Sequence, residues 1–150
     1  MIRLNLPDYQ IKLSGTQEKP TIFDILRNKY VALTPEEWVR QHFIHYLIEH
    51  LDYPSALLAN EVNLQIQNGK KLRADSVLYE RDLHPKIIIE YKAPSITLTQ
   101  KVFDQISAYN LLLHVDYLMV SNGMENYCCK MDYKNKKYLL FKDIPNYKNL

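Results

Sequence analysis

The chain has 150 residues, 47% of them hydrophobic and 24% charged, with a net charge of +2. That length can bury one core without disulfides or a structural metal, and three glycines (Gly15, Gly69, Gly123) leave no phosphate-cradling P-loop, because Leu64 and Lys71 break the pattern around Gly69-Lys70. The small charge excess neither demands nor excludes nucleic acid, so local basic clusters matter more than the sum: Lys70, Lys71 and Arg73, and a C-terminal run from Lys130 to Lys148, each by itself read as solvated surface.

The two cysteines, Cys128 and Cys129, are adjacent, a strained geometry for a mutual bridge. No CxxC and no Cys/His spacing for zinc occurs, and the five histidines have no partner motif. The start MIRLNLPDYQ is neither basic nor apolar enough for a signal peptide, and no apolar run approaches the roughly 20 residues of a membrane span. A reducing cytoplasm is the expected setting.

In chain order, residues 9–33 read as short strands of a small antiparallel platform. The β-branched and aromatic runs Thr21 to Leu26 and Lys29 to Leu33 are separated by turn material. A helix then starts at Thr34 as N-cap, with Pro35 in the first position and Glu37 completing a capping box. Val39, Phe43, Tyr46 and Leu47 form one apolar stripe; Gln41, Ile44, Ile48 and Leu51 form a second, with Glu37 at its N-terminal end. The helix is expected to end before Tyr53-Pro54. Val62, Leu64 and Ile66 alternate with polar residues in a strand that Glu61 opens, and Asn68-Gly69 signals a hairpin. Strands follow over Leu72 to Tyr79 and Lys86 to Ala93. In the second, the run Ile87-Ile88-Ile89 predicts a central strand covered on both faces. Thr97 and Gln100 suggest a capping box for a helix reaching about His114, with Leu98, Val102, Gln105, Tyr109 and Leu112 on one face. A strand from Tyr117 to Val120 ends at Ser121-Asn122-Gly123, and a hairpin turning at Lys134-Asn135-Lys136 closes the chain. No repeat, low-complexity stretch or linker is visible.

The chemistry concentrates in the middle strands. Glu90 and Lys92 are two apart in one strand and so share a face, and a hairpin with the preceding strand can bring Asp75 beside Glu90. Two carboxylates and a lysine suit phosphodiester hydrolysis: hard oxygens hold magnesium, the ion lowers the pKa of a water and clamps phosphate oxygens, and the lysine positions the water or neutralises developing charge. The bland alternative for Asp75 and Lys92 is a strand-end salt bridge. Asp132-Tyr133-Lys134, with Asp116 upstream, repeats the triplet in a polar Lys-rich hairpin with no helix after it, and is set aside. In the following helix, Gln105 and Tyr109 are four apart on the same face as Val102 and Leu112, and a glutamine in an apolar stripe needs a partner or opens onto a polar site.

The series Asp75, Glu90-Tyr91-Lys92 and Gln105-Ile-Ser-Ala-Tyr109 resembles the PD-(D/E)xK superfamily in its RecB-like branch, which carries a QxxxY motif after the (D/E)xK. The strings Leu33-Thr-Pro-Glu-Glu-Trp-Val-Arg-Gln41, Arg73-Ala-Asp75, Ile89-Glu-Tyr-Lys-Ala-Pro94 and Ser121-Asn-Gly123 are similar to the N-terminal nuclease domain of type I restriction enzyme R (HsdR) subunits. The resemblance covers roughly residues 30–125, with motifs that are specific in combination and weak singly. It implies an α/β fold with a restriction-endonuclease-like core, a mixed central sheet flanked by helices, and the N-terminal strand platform. One domain is expected over 1–150: N-terminal strands over 1–33, the nuclease core over 34–125, and a C-terminal hairpin and tail over 126–150. The resemblance further implies that Asp75 and Glu90 are metal ligands, that Lys92 is the catalytic lysine, and that Gln105 and Tyr109 shape the site or touch DNA, together with Lys70, Lys71 and Arg73. Glu37 matches a carboxylate that often faces the metal, beside its plainer role in the capping box; Glu61 is a peripheral acid or plain surface. The implied activity is Mg²⁺-dependent cleavage of DNA, with Mn²⁺ able to substitute. R subunits continue into a helicase motor that these residues do not contain. The expectations are thus a free-standing nuclease, a subunit recruited by a separate motor or specificity subunit, or a catalytically silent module that binds nucleic acid or protein. No membrane partner is expected, and oligomerisation is left open.

Overall fold

Strand β2 (Pro20–Asp24) sends Ile22 and Asp24 inward, and pairs antiparallel with β1 (Leu13–Gly15) and β3 (Lys29–Ala32) to make the expected platform. The computed structural model describes residues 1–66 and 69–150, and of Tyr109 and Leu112 it describes the backbone only. Helix α1 (Pro35–His50) begins as its sequence dictates: Thr34 Oγ1 accepts from the Glu37 amide at 3.1 Å, and Pro35 occupies the first turn. The reciprocal half of the capping box is absent, because the Glu37 carboxylate is turned to other partners. Val39, Phe43, Ile44 and Leu47 of α1 are fully buried.

The main sheet has six strands in the order β4-β5-β6-β7-β8-β9: β4 (Leu58–Gln65), β5 (Lys71–Tyr79), β6 (Pro85–Tyr91), β7 (Tyr117–Ser121), β8 (Asn126–Asp132) and β9 (Lys137–Leu140). Neighbours are antiparallel except β6 and β7, which are parallel and joined through helix α2 (Gln100–Leu113). The sheet is therefore mixed, as expected. β4 starts four residues before the predicted Val62, so Glu61 lies inside the strand rather than at its opening. Gln65 pairs with Lys71 across the predicted hairpin, whose Asn68 lies outside the described residues.

Both faces of the sheet are covered. Leu78, Ile87, Ile89, Tyr91 and Met119 pack with Ile22 and with Val39, Phe43 and Leu47 of α1. Val77, Ile88, Leu118 and Val120 pack with Leu98, Phe103 and Ile106 on the α2 side. The run Ile87 to Ile89 is buried throughout because its alternate residues serve opposite cores. Cys128 and Cys129 are free and buried, and burial pushes their thiols up to about 12 and about 11. Among the described residues no helix is long and apolar enough to cross a membrane.

The second helix corrects two expectations. Its N-cap is Thr99, whose Oγ1 accepts from the Val102 amide at 3.4 Å; Thr97 stays outside. Both threonines could cap, but only Thr99 places Leu98 and Phe103 at the two positions that clip an entering chain to a helix, and both are buried in one cluster. The buried face of α2 accordingly runs through Phe103, Ile106 and Asn110, and Gln105 is exposed rather than part of an apolar stripe. Thr99→Ala is expected to lower stability by about 1 kcal/mol, and Thr97→Ala by less than half of that, in urea unfolding followed by circular dichroism.

Candidate active site

Ser76 is the last β5 residue in register with β6, opposite Ile89, and the same register brings Asp75 level with Glu90. Beyond this point the strands part. β5 continues to Lys71 alongside β4, whereas β6 stays with β7, the Lys92 amide donating to the Ser121 carbonyl at 2.9 Å. Ile87, Ile89 and Tyr91 enter the α1 core, so Glu90 and Lys92 point with Ile88 to the α2 face. The Tyr91 hydroxyl donates to Ser76 Oγ at 2.9 Å on the α1 side, which leaves Asp75 on the α2 face with Val77. The strand geometry thus brings Asp75, Glu90 and Lys92 to one place. Asp75 is fixed further by the Tyr91 amide, which donates to Asp75 Oδ2 at 2.9 Å.

Two carboxylates cannot both be charged cheaply at such a spot. Burial, then the charge of Asp75 and a hydrogen bond to its side chain, push the Glu90 carboxyl up to about 9; Lys92 pulls the other way and does not prevail. At neutral pH the metal-free pair therefore keeps a proton. A cavity of 530 Å³ opens over it, lined by Arg27, Thr34, Glu37, Arg40, Glu61, Arg73 and the three central residues among others. A second cavity, of 620 Å³, lies toward α2 and is lined by Leu72, Arg73, Glu90, Lys92, Gln105, Ile106 and Ala108. Arg73, Glu90 and Lys92 belong to both, so the two cavities adjoin at these residues.

The surrounding charges cancel. Asp24, fully buried, accepts from the amides of Leu26 and Arg27, from the Arg27 guanidinium and from Asn60 Nδ2. Arg27 reaches on to Glu37 Oε1 at 3.0 Å. Glu37 also accepts from Arg40 and from Gln41 Nε2, and Arg40 bonds Glu61 Oε1 at 2.7 Å. Glu61 is paired with Arg73 as well. Burial acts against ionising Asp24 and Glu61, but hydrogen bonds from Arg27 and Asn60, and from Arg40 and Arg73, hold both carboxyls below the usual range. Three carboxylates are matched by three guanidiniums, which leaves Asp75 and Glu90 with Lys92 as the neighbouring cation.

The other sequence-derived residues fall as follows. Glu37 lines the cavity, but both its oxygens are engaged by Arg27, Arg40 and Gln41. Gln105 rims the second cavity; the Tyr109 side chain lies outside the described residues. Lys70 and Lys71 are exposed at the foot of β5. Arg73 is exposed but ion-paired. The set-aside triplet ends β8 and enters a turn, where Asp132 accepts from the Asn135 amide and side chain. Sequence reasoning missed Asp24, Arg27, Arg40, Asn60 and Ser76. The available signals were an Asp in an apolar strand and an Arg one turn beyond Glu37, between Val39 and Phe43. The donor set at Asp75 and Glu90 suits a hard divalent cation, which commonly takes one or two carboxylates and fills its shell with water. Among the described residues no group of three His, Cys, Asp or Glu is poised as a cluster.

Glu90→Gln tests the retained proton. A carboxyl with a raised folded pKa costs stability from its unfolded value near ~4.3 upward, until it ionises in the folded state. The expected outcome, in chelator, is that Glu90→Gln stabilises the protein by roughly 1–3 kcal/mol at pH 8 and has little effect at pH 4, in paired thermal melts. Equal effects at the two pH values would contradict it.

No curated protein matches the chain by sequence. Among solved structures, the fold is similar to a fragment assigned as an HsdR subunit of a type I restriction enzyme from Vibrio vulnificus YJ016. The TM-score is 0.53 at 20% identity, over 76% of this chain and 24% of that one, so the present chain spans only a small part of that protein's length. A fainter likeness, with a TM-score of 0.47 at 18% identity over 73% of this chain and 11% of the other, is to a chain in the cryo-EM structure of a DrdV–DNA complex. Residues 35–145, which include α1, the three central residues and α2, match the family described as type I restriction enzyme R protein N terminus (HSDR_N), and the chain belongs to that family.

Proposed function

We propose that this chain is a divalent-metal-dependent nuclease module that hydrolyses DNA phosphodiester bonds in a restriction or DNA-processing setting. The observation that carries the reading is the facing of Asp75 and Glu90 beside Lys92, with Glu90 and Lys92 lining both of two adjoining cavities. Mg²⁺, or Mn²⁺ in its place, would bind these hard oxygens and supply Lewis acidity at a phosphate oxygen and a water of lowered pKa. Lys92, on the same face as Glu90, would orient the attacking water or meet charge that develops on the phosphate. The Tyr91 amide keeps Asp75 turned toward the site. Gln105, and Tyr109 one turn later in α2, would shape the far side, while Lys70 and Lys71 would meet flanking phosphates. A separate motor or specificity subunit is the protein partner this reading favours.

A catalytically silent module is the second reading. It is favoured by the arginines of the first cavity, each of which is already neutralised by a carboxylate and so offers little free charge to a polyanion.

Plasmid and single-stranded DNA incubated with Mg²⁺ or Mn²⁺ decides between them. Cleavage is expected from the wild type and not from Asp75→Ala. Lys92→Ala is expected to keep metal binding and to lose roughly 10²–10³-fold in cleavage rate, as for removal of one preorganised group that acts in the transition state. Lys134→Ala, in the set-aside triplet, is expected to cleave at the wild-type rate. DNA binding without cleavage under either metal would favour the silent module.

A further inference from the structure

Glu61 sits inside β4 with φ +56°, a left-handed backbone uncommon for a residue with a side chain. Register makes it level with Asp75, since Asn60 pairs with Ser76 on one side and Val62 with Ala74 on the other. At this level the Asp75 carbonyl accepts from Arg40 Nη1 at 2.9 Å. The same nitrogen reaches Glu61 Oε1 at 2.7 Å, and the rest of the guanidinium grips both oxygens of Glu37, with Nε to Oε2 at 2.9 Å. Arg40 is 6% exposed.

We propose that Arg40 is a positioning residue whose buried guanidinium fixes the main chain at Asp75 and so aligns the Asp75 carboxylate on Glu90 and the Tyr91 amide. Its donors diverge in a plane, and they tie α1, β4 and β5 at one point. A lysine has the charge but not the fork, and cannot hold all three. A buried cation is costly unless paired, which assigns Glu37 and Glu61 a common role: they hold the guanidinium in place, and neither is a metal ligand. The turned backbone at Glu61 belongs to the same device, since it directs that carboxylate to Arg40 and Arg73. Glu37, expected from resemblance to face a metal, thereby acts on the site through Arg40 and Asp75. The consequence for the metal rests on the nuclease reading; the consequence for Asp75 does not.

The test uses metal-free wild type, Arg40→Lys and, as a control for lost packing on the same helix, Leu47→Ala. Amide hydrogen exchange at Tyr91, which reports its bond to Asp75, is read against Ile87 to Ile89. Arg40→Lys is expected to speed Tyr91 exchange at least ~10-fold more than that of the isoleucines, whereas Leu47→Ala speeds them together. Tyr91 moving in step with the isoleucines in Arg40→Lys, or not moving, overturns the proposal. Glu61→Gln, a milder change, is expected to shift Tyr91 selectively by a smaller factor and keeps the question answerable should Arg40→Lys not fold. Mn²⁺ titration calorimetry adds the second arm. Arg40→Lys is expected to weaken binding roughly 10-fold, the usual cost of losing a group behind the ligands, and Glu90→Gln to abolish it. Unchanged Mn²⁺ affinity in Arg40→Lys beside a loss in Glu90→Gln overturns the positioning role. Equal affinity in wild type and Glu90→Gln instead sinks the metal-site reading, and the exchange arm then decides the role of Arg40 alone.

Discussion

Asp75 and Glu90 are placed level on neighbouring strands, and like charges opposed in this way repel. An ordinary sheet would avoid the pair. Here the repulsion is met by a proton retained on Glu90 and by Lys92 two residues along. The position is not accidental with respect to the fold. β5 and β6 separate just where the pair stands, because β6 keeps its bonds to β7 through Lys92 while β5 keeps its bonds to β4. The carboxylate pair therefore lies at an opening rather than inside a closed ladder.

Around this spot the protein builds a neutral frame. Asp24, Glu37 and Glu61 are each bonded to guanidiniums of Arg27, Arg40 or Arg73. Buried ion pairs of this kind return little net stability once desolvation is counted, so their value is geometric. They join β2, α1, β4 and β5, and a second chain of hydrogen bonds runs from Asp24 through Asn60 and Ser76 to the Tyr91 hydroxyl. The N-terminal platform is thus part of the site's scaffold: its one fully buried acid sits at the origin of both chains.

What the sequence made legible was whatever follows from strand period and local capping. Two-residue spacing put Glu90 and Lys92 on one face, and the hairpin register put Asp75 beside them. The Ile87 to Ile89 run announced a strand covered on both sides, and Thr34-Pro35 announced α1. The start of α2 was misread because two threonines offered equal caps, and the choice between them depends on burying Leu98 and Phe103 together, a tertiary fact. Gln105 was misplaced because α2 carries apolar residues on two adjacent faces, and the choice of Phe103 and Ile106 to pack on the sheet is likewise a tertiary fact. Arg40 was hidden more deeply. Its partners Glu37, Glu61 and Asp75 come from three elements, and its place between Val39 and Phe43, one turn beyond Glu37, hints at burial without saying which groups would meet it. Glu61 illustrates the limit: alternation marks it as the wet position of a strand, yet its turned backbone and its two arginine partners appear only in three dimensions.

The two walls of the site differ in kind, and the difference traces to the two helices. On the α1 side the wall is a set of matched charges without net attraction for a polyanion. On the α2 side it is largely apolar, with Leu72, Ile106 and Ala108 beside Gln105. Lys70 and Lys71 stand exposed at the foot of β5, and isolated exposed charges of this kind act over only about 10 Å at ordinary salt. Long-range steering of a polyanion by such a surface is weak, so recognition at the centre depends on close contact. At the centre itself, the proton kept on Glu90 and the charge of Lys92 offset the carboxylate pair, so this spot too carries little net charge. Asp75, Glu90 and Lys92 therefore set a close cluster of mixed charge between a wall of matched ion pairs and a largely apolar one.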